Sequence, residues 1–126
     1  MIKKYLPLLL VPLWLTACAT STITNLTPST LPREAKGLYP VECAFDTQQR
    51  TLRDKTIAPQ VIVEQDVYPM RRVLKSNNRW ETLVPIPAGK NEVTYHFKIN
   101  YDFTAFNKTG RDSMLSQDYK LTIADK

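Results

Sequence analysis

Between Val93 and Phe103 the chain alternates apolar and polar residues without a break. Val93, Tyr95, Phe97, Ile99, Tyr101 and Phe103 fall on one side, and Thr94, His96, Lys98, Asn100 and Asp102 on the other. A helix repeats its apolar positions every three or four residues, so a period of two sustained this long predicts a strand with one buried face. A strand carrying that many large apolar side chains needs a second layer over it, which narrows the chain to a two-layer β architecture.

The rest of the chain reads the same way. From Leu38 to Asp46, Tyr39, Val41, Cys43 and Phe45 face one way while Glu42 and Asp46 face the other. Pro40 lies near the start of that strand, where a missing ladder donor is tolerated. Ile57–Glu64 contains the β-branched run Val61-Ile62-Val63, and a polar turn at Gln65 and Asp66 leads into Val67–Leu74. Pro69 marks this segment as an edge or bulged strand. Thr22–Leu26, Trp80–Ile86 and Tyr119–Ile123 bring the expected total to seven strands, separated by turns at Pro28–Pro32, Ser76–Asn78 and Pro87–Asn91. Thr47–Lys55 reads as a polar connection and Thr104–Ser116 as a long polar loop, a length that is uncommon unless the loop is functional or disordered. The expected fold is all-β, an immunoglobulin-like Greek-key β-sandwich, with a small barrel as the structural alternative.

The N-terminus has a different character. Lys3 and Lys4 precede an apolar run from Leu6 to Leu15. That run is about half the roughly twenty residues a membrane span requires, and suits a secretory signal. It ends in Leu15-Thr16-Ala17-Cys18, which resembles the lipobox of bacterial lipoproteins. In that family the cysteine thiol takes a diacylglyceryl group, the preceding bond is cut, and the freed amine is acylated. The resemblance implies a signal peptide over residues 1–17, a lipidated Cys18 with a tether over 18–22, and a domain over 23–126. It implies no cofactor beyond the covalent lipid on Cys18. Ala19 stands where aspartate would favour the inner membrane of some diderm bacteria, so the resemblance implies the outer membrane. The tether is expected to hold the domain against the membrane.

Trp80-Glu81-Thr82-Leu83-Val84-Pro85-Ile86-Pro87-Ala88-Gly89, followed by Tyr95-His96-Phe97-Lys98-Ile99-Asn100-Tyr101, resembles the core of early-set immunoglobulin-like domains, including glycogen-binding modules. Val61-Ile62-Val63 and Pro69-Met70 fit the preceding hairpin of that pattern. The resemblance covers roughly residues 57–103 and implies a sandwich fold. It brings in a carbohydrate-binding module of the cell envelope as an alternative function. Tyr68, Tyr101 and Phe106 would be the aromatic contributors to a sugar platform.

Loss of the signal removes Lys3 and Lys4 and leaves 15 basic against 12 acidic side chains, a balance of +3. Such a mild excess, on an exported chain, is no signature of nucleic-acid binding, and no nucleic-acid partner is expected. The basic residues Arg71, Arg72, Lys75 and Arg79 gather around one hairpin turn and would contact anionic lipid head groups or an acidic partner, or else protect an exposed edge. Cys43 is expected to be a buried, inert thiol, because no second cysteine falls on the long strand opposite it. His96, the sole histidine, falls on the polar face of its strand, which opposes a zinc site or a serine–histidine–acid triad. The expected role is that of a non-enzymatic interaction or structural module, held at the membrane by Cys18 and engaging an envelope protein.

Overall fold

The alternation of residues 93–103 is realised in the longest strand of the computed structural model. Val93, Tyr95, Phe97 and Ile99 are buried, while the residues between them lie half-exposed on the other face. The structure describes residues 21–48 and 52–125. The signal segment, the lipobox and Cys18 lie outside the described residues.

Among the described residues the strands are β1 (Ser21–Asn25), β2 (Thr30–Pro32), β3 (Leu38–Thr47), β4 (Ala58–Val63) and β5 (Asp66–Pro69). They continue with β6 (Arg71–Arg72), β7 (Arg79–Pro85), β8 (Glu92–Ala105), β9 (Lys108–Leu115) and β10 (Tyr119–Ala124). A 3-10 turn sits at Asp54–Thr56.

One sheet has the order β1-β3-β7-β6, and the second has the order β2-β10-β8-β4-β5 with β9 also paired to β8. If β1, β3, β7 and β6 are named A, B, E and D, and β4, β5 and β8 are named C, C′ and F, both sheets take the immunoglobulin order. The G position is shared by β9 and β10, which pair with successive stretches of β8. The chain is therefore an immunoglobulin-like β-sandwich.

The core lies between the sheets. Tyr39, Val41 and Cys43 of β3 meet Val61 of β4, Phe97 of β8 and Leu121 of β10, all essentially without solvent contact. Tyr95 and Phe97 pack edge to face with centroids 5.7 Å apart, a geometry favoured by their ring quadrupoles. The Tyr95 hydroxyl accepts a hydrogen bond from Asn25 Nδ2 at 2.9 Å, which ties β1 of one sheet to β8 of the other. This partner lets a phenol sit deep in the core without an unsatisfied polar atom.

Four expectations are corrected. Thr104–Ser116 is not a loop: β8 runs on to Ala105, reverses at Phe106–Asn107, and returns as β9 in a ladder from Ala105↔Lys108 to Lys98↔Leu115. β9 is exposed on both faces along most of its length, so it lacks the alternation by which the other strands were recognised. Val67–Leu74 is not one strand. β5 ends at Pro69, Met70 crosses between the layers with its side chain in the core, and β6 pairs in the opposite sheet. Pro69 does lie on an edge strand, as expected. The proline-marked turn at 28–32 includes β2, which runs parallel to β10. Ser21 and Thr22, assigned to the tether, are already in β1 and paired with Thr47 and Asp46.

Candidate functional site

The register of the strands decides what surrounds the point where the chain enters the domain. Ser21 pairs with Thr47 at the end of β3, and the two hydroxyls lie 2.8 Å apart. Two residues back along β3, Phe45 donates its backbone N–H to the Asn78 carbonyl at 2.8 Å, and Asn78 Nδ2 donates to Asp46 Oδ1 at 2.7 Å. The turn joining β6 to β7 therefore lies at this end. Phe45 also stacks on Tyr101 of β8, with centroids 6.4 Å apart. Just beyond, Leu52 bridges to Phe103 and the Arg53 N–H donates to the Asp102 carbonyl. The chain entry, the 73–78 turn, the 52–56 segment and the β8–β9 hairpin thus share one end of the sandwich.

The four basic residues singled out above do surround one hairpin, but most are engaged within the domain. Arg79 Nε donates to Glu42 Oε2 at 2.6 Å. Arg71 lies 3.6 Å from Glu81 on the neighbouring strand. Arg72 stacks over the Trp80 ring at 4.5 Å and donates to the Asn77 carbonyl, so its guanidinium closes the hairpin and covers the core tryptophan. Lys75, at the turn with φ 62°, has no acidic partner among the described residues and projects outward.

The hairpin of β8 and β9 carries Phe106, which the sequence offered only as one of three aromatics, at its tip. Its two-residue turn places Phe106 at φ 52° and Asn107 at φ 64°. This is the type I′ pattern, in which both central residues are left-handed and Asn-Gly is the favoured pair. Phe106 is 97% exposed, the most exposed large apolar side chain among those described, followed by Leu74 at 90% on the 73–78 turn. Below the tip, Gly110 faces Phe103, whose ring lies across it. A Cβ at Gly110 would fall 2.6 Å from the Phe103 Cζ.

β9 also leaves a free edge. Ser116 N–H donates to the Phe97 carbonyl at 2.9 Å. Strand alternation then turns the backbone groups of Leu115, Ser113, Arg111 and Thr109 away from β8. The Ser113 N–H is taken by its neighbour's carboxylate, Asp112 Oδ1, at 2.8 Å. No other described strand pairs with this edge.

Cys43 is fully buried, with its thiol 3.9 Å from Met70 Sδ. Burial pushes its pKa up to about 12, with the adjacent Glu42 carboxylate adding in the same direction. His96 lies on the outer face of β8, 3.5 Å from Asp118 Oδ1. Among the described residues no three His, Cys, Asp or Glu side chains gather in metal-binding proximity. The three aromatics considered for a sugar platform are dispersed. Tyr68 packs against the core, Tyr101 stacks on Phe45, and Phe106 stands alone at its tip.

No family model and no curated protein matches this chain. Among solved structures it is similar to one of murine CRIg, at 11% sequence identity and a TM-score of 0.43, over 83% of this chain and 98% of that one. The immunoglobulin-like assignment rests on the strand order and pairing described above.

Proposed function

We propose that the protein is a bacterial envelope lipoprotein, lipidated at Cys18 and held in the outer membrane, whose sandwich is a non-enzymatic module that binds a partner protein. The observation that supports the binding role is the free edge of β9 (Lys108–Leu115). Backbone donors and acceptors presented along an unpaired strand are met by adding a strand from another chain, and side chains on either face then select the partner. The edge strand β5, which Pro69 marks in the sequence, is shorter and lacks one donor, so β9 is the better platform.

The experiment is in-cell photocrosslinking of the acylated protein from position Ser113, with captured proteins identified by mass spectrometry. One envelope protein should be captured repeatedly. Arg111→Pro removes an outward donor without touching the β8 ladder and should abolish that capture, while Arg111→Ala should retain it. Capture that is indifferent to Arg111→Pro refutes strand addition at β9.

A further inference from the structure

We propose that the end of the sandwich carrying the chain entry is its membrane face, with Phe106 inserted at the acyl-chain boundary of an anionic bilayer and Lys108 among the lipid phosphates. This rests on the Cys18 anchor proposed above, and adds which way the domain faces.

The first observation is a match of two lengths. From Cys18 to Ser21, where β1 is already paired, three residue steps span at most about 11 Å. On β8, Tyr101 is level with Phe45, and Phe106 lies five residues further on, about 17 Å at a strand's rise. Ser21, opposite Thr47, is only two residues beyond Phe45, or about 7 Å. The hairpin tip therefore overhangs the chain entry by about 10 Å, close to the full reach of the tether. A lipid on Cys18 holds the tip at the surface in which that lipid is embedded.

The second observation is the chemistry at this end. A bulky residue in the left-handed region is uncommon, and no described residue covers the Phe106 ring. The turn holds that ring out in water, and a solvated phenyl group gains free energy on entering an apolar phase. Leu74, second to it in exposure among the large apolar side chains described, lies on the 73–78 turn at the same end. Around them lie Arg53, Lys55, Lys75 and Lys108, none with an acidic partner among the described residues. Such residues near the surface of an anionic leaflet are attracted to it. The far end of the sandwich mixes Glu34, Glu64, Asp66 and Glu92 with Arg33, Lys36 and Lys90, and among the described residues it presents no comparably exposed apolar tip.

The test uses the full acylated protein in phosphatidylethanolamine–phosphatidylglycerol vesicles, with and without brominated acyl chains. After signal removal Trp80 is the only native tryptophan, and it is buried. In Phe106→Trp the added emission should shift to the blue and lose most of its intensity in brominated vesicles. In Leu83→Trp, on the outer face of β7, it should lose little. Equal, weak quenching of both variants overturns the orientation while leaving the anchor intact. Mass spectrometry of the peptide containing Cys18 reads the anchor separately, and an unacylated Cys18 would overturn both.

Discussion

Cys43 makes the stability of this fold depend on alkaline pH in a way that one substitution should remove. The thiol's pKa rises from an ordinary 9.0 to about 12 in the folded protein, because burial between the sheets penalises the thiolate. Where the folded pKa exceeds the unfolded one, the folded state keeps a proton that the unfolded chain has shed. The stability this contributes is complete below pH 9 and drains away as pH climbs toward 12. At pH 10 the unfolded thiol is mostly ionised and the folded one is not, so on the order of 1 kcal/mol has been lost. Tyr95 and Tyr101, whose phenol pKa values are also raised by burial, lose stability in the same direction at higher pH. Those losses are common to the native protein and to a Cys43→Ala variant and cancel between them. The assay is guanidinium unfolding at pH 7.5, 9 and 10 under reducing conditions, followed by the fluorescence of Trp80. The variant begins lower at pH 7.5, having lost the sulfur packed on Met70, and the gap between the two should shrink by on the order of 1 kcal/mol at pH 10. A constant gap across the series refutes the claim that a protonated, desolvated thiol is part of the core.

Phe106→Asn supplies a residue that accepts φ near +52°; it should stabilise the domain by about 1 kcal/mol and raise its thermal midpoint by about 4–8 °C by calorimetry. Gly37 takes φ 71° where its carbonyl receives the Ile86 N–H. A Cβ there would meet the Ile86 carbonyl oxygen only at ordinary contact, 3.4 Å, so Gly37→Ala should cost about 1–2 kcal/mol from backbone conformation alone, measured by the same scan. Cys18→Ser should abolish acylation and move the protein from the detergent to the aqueous phase; unchanged partitioning rules the anchor out.

What the sequence made legible follows from which forces leave a linear trace. β8 and β3 each bury one face, and that burial writes a period of two into their residues. β9 buries neither face along most of its length, and its turn uses Phe106-Asn107 rather than Asn-Gly, so neither of the usual signals for a hairpin was present. The passage from β5 to β6 was hidden for the opposite reason. Val67 to Leu74 reads as one continuous segment, and only the pairing of Gln60 with Pro69 and of Arg71 with Glu81 shows that its halves belong to different sheets. The basic cluster was visible as charge, but the carboxylates that neutralise Arg79 and Arg71 come from β3 and β7, at separations that only the folded register defines.

Topology links the fold to the proposed orientation. In this sandwich β1 begins at the end where β3 finishes, where β6 turns into β7, and where β8 turns into β9. The C-terminal strand finishes at the other end, where Asp125 is held by Arg33 at 2.8 Å. A chain lipidated ahead of β1 therefore presents the β8–β9 hairpin to the bilayer, and the same domain anchored after β10 would present it to the aqueous compartment. If Cys18 carries the lipid, the three residue steps to Ser21 tighten this from a preference of topology to a constraint of distance, since a tether of at most about 11 Å would give the domain little room to turn over. In that orientation the free edge of β9 would run outward from the membrane, from Lys108 at the surface to Leu115 about 24 Å above it, within reach of a partner that stands on the same leaflet.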